Sequence, residues 1–502
     1  MALSAAANGA AFGLFPISWI IFGAILLFRV TVETGQFEII KNSVGRLSPD
    51  PRLQALLIAF AFGGFLEGAA GFGTPVAIAS TMLIGLGFTP FSASAICLLA
   101  NTAPVAFGSI GIPIITLAGT TGLPLDKLSS AVAKLCTPMS LIVPAYLIVA
   151  MGGFGSLSGI WIPTLAAGGV FAIVQLLVAT YLGPQLTDII AAVFSMAALV
   201  LIFRFMHRDT VDDASLAAKA AREAAAGPWA RFARTHSDGS SSSAAGNEAV
   251  PEYSVGTILY AWLPYALLVA CVMLWGWTPV QLALGRLTVL VHWPGLHDLV
   301  QRMPPIVTKG TPYHAIFVVN WAAAPGTACV LAAVLSAFCL KMKFRDLLHL
   351  IVKVLNQLKL PIATVTSVLA LAFLMNYCGA TVTLGLAFTA TGRMFPFFSA
   401  LLGWVGVFLT GSDTSANALF GNLQVVTANR LGLDPIFMAA ANSSGGVMGK
   451  MISLQTIAVA AAATGLSQAE QSKLFRFTLK HSIILATFVG CLAMLYIYVF
   501  HF

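Results

Sequence analysis

Three ionisable side chains stand well inside long apolar stretches of this 502-residue chain: Glu67, Asp413 and Lys450. Holding an ion at the depth of a bilayer is costly, so the default role of such residues is functional. Each belongs to a run poorly suited to plain helix. Glu67 lies in GGFLEGAAGFGTP (Gly63 to Pro75), Asp413 in TGSDTSAN (Thr410 to Asn417), and Lys450 directly follows NSSGGVMG (Asn442 to Gly449). A fourth run, NTAPVAFG (Asn101 to Gly108), carries amide and hydroxyl groups beside Pro104. Together the four offer Asn101, Thr102, Ser412, Thr414, Asn442, Ser443, Ser444, Lys450 and Gln455 as candidate substrate-binding groups. Ser, Thr and Asn side chains cap helix starts, and the free amides there attract anions. One fixed cation among such donors suits a small anion with a single carboxylate and a hydroxyl. Two cations would suit a dicarboxylate better, and Arg46, Arg393 and Lys309 are further cations that could approach.

A carboxylate with few solvating neighbours can bind and release a proton during transport. Glu67, flanked by Leu66, Gly68, Ala69 and Ala70, is the first candidate for proton coupling. Asp413, among Ser412, Thr414 and Ser415, has partners able to keep it ionised and is the second. Plainer roles stand beside these: a buried Glu67–Lys450 ion pair fixing register, Asp413 as a helix cap, and glycines serving only close helix packing.

These residues need an apolar frame, and the composition supplies one. The chain is 58% hydrophobic and only 9% charged, against roughly 25% charged in a soluble domain. Its mean hydropathy is +0.91. Apolar runs near 11–28, 91–110, 135–151, 160–182, 187–206, 254–277, 313–340, 360–376, 435–460 and 481–500 each approach the ~20 residues needed to cross a bilayer. The expected class is an all-α polytopic membrane protein with roughly 10–13 membrane segments; a barrel would show short alternating segments instead. No Lys or Arg precedes the first apolar run, so the N-terminus is not a secretory signal. The net charge of +8 gathers in loops beside spans (Arg204 to Arg234, Lys341 to Lys359, Lys473 to Lys480). That distribution fits charge-biased insertion rather than nucleic-acid binding. The seven cysteines form no C-x-x-C and read as packing residues, so no cofactor or metal is expected. His314 reads as a packed residue just inside a span, and Trp161, Trp275, Trp277 and Trp293 as anchors at span ends.

The expected organisation is an N-terminal transmembrane half (1–206), a hydrophilic linker on the cytoplasmic side (207–253) and a C-terminal transmembrane half (254–502). The linker is marked by HSDGSSSSAAGNEA. Two spans separate it from the basic loop at Lys341, which places both on one face. Three pairs of short echoes run in the same order through the halves: Gly45-Arg46 with Gly392-Arg393, Phe65-Leu66-Glu67-Gly68 with Phe408-Leu409-Thr410-Gly411, and Asn101 with Asn442. Paired interruptions in matching places are the pattern of secondary transporters with broken helices. Irregular backbone survives at membrane depth only inside protein or around a watery cavity.

FLEGAAGFGTPVAI, NTAPVAFGSIGIP, FLTGSDTSANALF and NSSGGVMGKMIS resemble the signature stretches of the L-lactate permease family. The likeness runs from about Trp19 to about Leu492, the linker excepted. It implies proton symport of L-lactate, D-lactate and glycolate across the bacterial inner membrane, with protons, a small-molecule substrate, lipid and a second copy of the chain as partners. It also implies two inverted structural repeats, each with a re-entrant hairpin and a broken helix. On that analogy FLEG and FLTG are hairpin tips, and Asn101 and Asn442 begin the breaks. Family members usually start with further hydrophobic segments, which implies truncation or missing peripheral helices here. Phe317 to Trp321 (FVVNW) lacks a charge pair, and Leu454 stands where a Pro is expected, implying a softer break.

Within transport, the competing readings are a sodium-coupled carboxylate carrier and a cation/proton antiporter, with a channel beyond them. An intramembrane hydrolase is the distant alternative. An aspartyl protease needs two core aspartates where Asp413 alone is evident, and no G-x-S-x-G places a serine near His314.

Overall fold

The computed structural model of the protein describes all residues except 46, 47, 49, 72, 207–252, 303–309, 501 and 502. The linker, Arg46 and Lys309 therefore lie outside the described residues. Eight described helices are long and apolar enough to cross a membrane, or eleven if each sharply bent pair counts as one span. The protein is an all-α polytopic membrane protein of two inverted repeats.

The chain begins with α1 (Ala2–Glu33), α2 (Gln36–Gly45) and α3 (Pro51–Ala69). α3 is apolar on every side, as a helix enclosed by others must be, and 94% of its apolar window is buried. Asp50 caps its start by accepting from the Arg52 amide at 2.8 Å. α3 ends at a turn where Gly71 (φ 59°) and Gly73 (φ 82°) adopt left-handed backbone open to glycine. α4 (Thr74–Gly85) then returns alongside, with Pro75 in its first turn. These two arms form a hairpin with FLEG just before its turn. Next, α5 (Pro90–Ala100) and α6 (Val105–Thr121) form one span bent by 69°. α7 (Leu125–Gly152), α8 (Trp161–Tyr181) and α9 (Thr187–Met206) complete the first half.

After the linker, α10 (Val255–Ala261) packs on α2 and continues, bent, as α11 (Leu263–Gly276). The short α12 (Thr278–Gly285) leads to an excursion outside the bundle. There β1 (Val289–His292) pairs antiparallel with β4 (Ile316–Val319), and β2 (Gln301–Arg302) with β3 (Thr311–Pro312). The expected span 313–340 is thus corrected. Its first part is a strand and only α13 (Pro325–Cys339) is helix, because an apolar run of four residues has no period that separates strand from helix. His314 accordingly lies exposed in the excursion rather than packed in a span, and Trp293 belongs to the excursion rather than to a span end. α14 (Phe344–Tyr377), α15 (Ala380–Phe388) and α16 (Phe395–Thr410) follow. Gly411 (φ 73°) turns α16 into α17 (Asp413–Leu431), the second hairpin. α18 (Pro435–Gly449) and α19 (Leu454–Thr464) make the second broken span, bent by 40°, and α20 (Gln468–Tyr498) closes the fold.

The order of elements gives the inversion. The excursion sits at the Ser4 end of α1, where the Trp293 indole donates to the Ser4 carbonyl at 3.0 Å. α13 connects that end to the Glu33 end, and α14 returns from a Lys353–Glu33 ion pair to a ring contact between Tyr377 and Tyr313. Four crossings lie between the first hairpin and the linker, and three between the linker and the second hairpin. The hairpins therefore enter from opposite faces. The Lys341 loop shares the linker's face, as its charge requires.

The first hairpin is held by aromatic contacts: Phe65 lies 4.9 Å from Trp262 and 4.6 Å from Tyr265, both edge-on. Such pairs contribute about 0.5–1.5 kcal/mol each. α1 and α13 instead approach through small residues. A methyl group at Gly326 would meet the Ile20 amide nitrogen at 2.9 Å and the Trp19 ring at 2.6 Å. Gly326→Val is expected to destabilise this pair by about 1–3 kcal/mol through overpacking. A melt of the purified protein in detergent checks it, and an unchanged midpoint would show that stability does not depend on this contact.

Candidate functional site

The two hairpin ends and the two helix breaks converge on one cavity of about 240 Å³. That is below the range typical of drug-sized ligands and fits a small ion. Glu67 reaches it from α3, Gly108 and Ser109 from the first break, Ser412, Asp413 and Thr414 from the second hairpin, Lys450 and Gln455 from the second break. Leu360, Pro361, Thr364 and Val365 of α14 cover it.

Local sequence explains each placement. Ser109 and Ile110 stand at φ 48° and 60°, left-handed conformations that cost L residues energy and recur at functional sites. They are held because the Ser109 hydroxyl donates to the Ala70 carbonyl at 3.2 Å, tying the break to the hairpin turn. In the second repeat, the Ser412 hydroxyl caps α17 by accepting from the Ser415 amide at 3.3 Å, and the Ser453 hydroxyl caps α19 by accepting from the Thr456 amide at 3.2 Å. Two helix starts with their orphan amides thus border the cavity.

Six of the candidate residues line this space: Glu67, Ser412, Asp413, Thr414, Lys450 and Gln455. The other five are buried behind it. Asn101 lies against Glu67 without a hydrogen bond of good geometry, and the Thr102 hydroxyl donates to the Leu99 carbonyl at 2.7 Å. Asn442, Ser443 and Ser444 belong to the helical α18. The first break begins at Asn101, but the second falls at Lys450 to Ser453, because α18 runs 15 residues where α5 runs 11. The second break is bent less than the first, 40° against 69°, in keeping with the softer break expected at Leu454.

Asp413 is braced by this buried layer. The Ser443 hydroxyl donates to its Oδ2 at 2.8 Å, and the Asn417 amide lies 3.2 Å from the same oxygen. Asn442 donates to Asn417 Oδ1 at 3.0 Å and accepts from Gln424 at 3.0 Å. Asn417 and Gln424 are network members that the sequence reading did not single out. Asp413 is not the cap of α17; Ser412 is. Glycines clear room for both acids: a Cβ at Gly108 would come within 2.7 Å of Glu67 Oε1, and one at Gly446 would collide with Asp413 Oδ1.

Asp188, 1% exposed at the start of α9, is a third buried acid, lying beside Gln175 without a hydrogen bond of good geometry. It packs against Gly68, next to Glu67, and interacts electrostatically with Glu67. It is a second core aspartate, but it faces Glu67 rather than Asp413, so the two aspartates do not form a protease dyad. Among the described residues the one cation lining the cavity is Lys450, which interacts at a distance with both Glu67 and Asp413. No ion pair within 4.0 Å joins it to either among the described residues, so the buried Glu67–Lys450 pair is not formed. Arg393 sits elsewhere, over the Tyr498 ring.

A frame of eight to eleven apolar spans, opposed hairpins and a small polar cavity with Lys450 unpaired among the described residues define a multi-pass membrane transport protein. Residues 1–500 match the family described as L-lactate permease, and the chain belongs to that family. It is 45% identical to the L-lactate permease of Bacillus subtilis (strain 168) over 99% of this chain and 88% of that protein. It is 42% identical to the glycolate permease GlcA of Escherichia coli (strain K12), over 100% and 88%, and 42% to that strain's L-lactate permease, over 99% and 87%. With these bacterial relatives it is placed in the inner membrane. Among solved structures it is similar to Neisseria gonorrhoeae MtrF (TM-score 0.48, 11% identity, 98% of this chain and 83% of that chain).

Removing one member of the Asn417 network leaves buried polar groups of the others without their partners. Asn417→Ala and Asn442→Ala are each expected to cost about 1–3 kcal/mol of stability. Their double variant should cost less than the sum. Melting curves of the three variants check this, and strict additivity would show the two amides to be independent.

Proposed function

We propose that the chain carries short 2-hydroxymonocarboxylates, L-lactate first and D-lactate and glycolate with it, in symport with protons by alternating access. The observation that carries the reading is the unpaired Lys450 ammonium in a small cavity bordered by two helix starts and the Ser412 and Thr414 hydroxyls. An ammonium with orphan amides receives a carboxylate, and the hydroxyls receive the 2-hydroxyl. The names of the relatives, lactate and glycolate permeases, support the same substrates.

Proton coupling rests on charge. Three acids are buried, Glu67 (3% exposed), Asp413 (2%) and Asp188 (1%), and among the described residues Lys450 is the one ammonium lining the cavity beside them. Uncompensated charges in the bilayer cost several kcal/mol each, so protons bound at the acids offset what Lys450 cannot. Glu67 borders the cavity and Asp188 lies behind it, beyond Leu186, which lines an opening on the face opposite the linker. Asp188 and Glu67 form the proton route in this reading, and Asp413, braced by Ser443 and Asn417, stays as a fixed part of the substrate site.

The test is labelled L-lactate uptake into liposomes under an inward proton gradient, repeated with a protonophore. Accumulation that collapses with the gradient is expected. Accumulation that follows sodium instead would overturn proton coupling while leaving the carrier. Lys450→Gln is expected to weaken lactate affinity at least about tenfold, a loss of about 1.4 kcal/mol or more. An unchanged affinity would remove Lys450 from the site. Glu67→Gln and Asp188→Asn are each expected to abolish gradient-driven accumulation while exchange of internal for external lactate continues. Accumulation intact in both variants would move the proton to Asp413.

A further inference from the structure

We propose that His297, Asp298 and His314 bind one divalent transition-metal ion, zinc being the chemical match, on the face opposite the linker. One ligand atom from each of the three lies within 4.8 Å of the other two. Ligand atoms around zinc sit about 2.0–2.2 Å from the ion, so small side-chain rotations bring all three into its shell. Two imidazoles and a carboxylate select zinc-like ions, whereas calcium and magnesium prefer oxygen ligands throughout.

The cluster is already assembled around one carboxylate. Asp298 Oδ1 lies 2.6 Å from His314 Nδ1, and its Oδ2 lies 3.3 Å from His297 Nε2. A surface His–Asp pair is common, but it accounts for one imidazole rather than two on the same acid. The second observation is that the two imidazoles reach different oxygens of the one acid, His314 through Nδ1 and His297 through Nε2, so two nitrogens and a carboxylate already face one point.

The backbone fixes the three residues before any ion arrives. The Asp298 amide donates to the Tyr313 carbonyl at 3.1 Å, which sets Asp298 beside His314. The Trp293 amide donates to the Ala315 carbonyl at 2.9 Å, and His292 pairs with Ile316 in the β1–β4 ladder. The His297 ring lies 4.2 Å from that of His292, limiting its rotation. The ion would tie Asp298 to His314 and His297 within the excursion. That excursion grips the Ser4 end of α1 and the Tyr377 end of α14, the helix that covers the cavity.

The purified full chain, stripped with a chelator and returned to detergent buffer, is titrated with zinc against a chromophoric competitor. The expected result is one zinc per chain, with affinity lowered more than about tenfold in His297→Ala and in His314→Ala and unaffected by excess magnesium. Cobalt titration supplies a second readout, a visible absorption band that is lost in both variants. His314 is exposed, so its replacement leaves the core intact, and a metal-free melt equal to that of the parent confirms this. Absence of saturable zinc binding, or binding and a cobalt band that survive in both variants, overturns the site.

Discussion

Everything in this fold follows from one constraint: at membrane depth a polar group has only protein to turn to. A helix satisfies its own backbone there, and a broken helix does not. The four interruptions therefore have to meet. Each lends what another lacks, as where the hydroxyl of Ser109 in one break holds the Ala70 carbonyl of the neighbouring hairpin turn. The cavity is the space left where these ends face one another. Its walls are polar because they are helix ends, and small because glycines permit the approach. At Gly108 and Gly446 even a methyl group would collide with Glu67 or Asp413.

The same constraint explains the frame. α3 could not face lipid with Glu67 near its end, so α8, α9 and α11 enclose it, the last through the Phe65, Trp262 and Tyr265 cluster. α14 has less of its apolar window buried, 22% against 94% for α3. It nevertheless lies tight on α1, where a methyl at Gly13 would meet Thr366 Cα at 2.9 Å. The cavity thus has one wall deep in the bundle and one on its outer side.

The class, the hairpins and most charged groups of the site were legible in the sequence, because a charge in an apolar run and a glycine cluster in a span are local signals. What escaped depended on distant packing. Asp188 reads as an ordinary acid in the first turn of a helix, and only the approach of Gly68 shows that it is buried beside Glu67. Asn442 looks like the partner of Asn101, yet the helix continues past it to Gly449, since nothing in NSSGGVMG forbids helix as Pro104 does after Asn101. Residues 313–340 read as one span because Ile316 to Val319 is apolar. Its pairing with Val289 to His292, nearly thirty positions earlier, is what makes it a strand. The burial of Asn417 and Gln424 likewise appears only once α17 and α18 are packed together.

The repeats are related but chemically unequal, and the inequality bears on coupling. At the matching hairpin position the first repeat has Glu67 and the second Thr410, while the lysine sits at the second break alone. In the proposed reading a carboxylate substrate takes up the positive charge of Lys450, which until then partly offsets Glu67 and Asp413. Anion binding so close to these acids raises the cost of leaving them ionised, and a bound proton lowers the cost of admitting the anion. By linkage the two effects are equal. In that reading an uncompensated negative charge buried beside the cavity is costly enough to make each ligand favour the other.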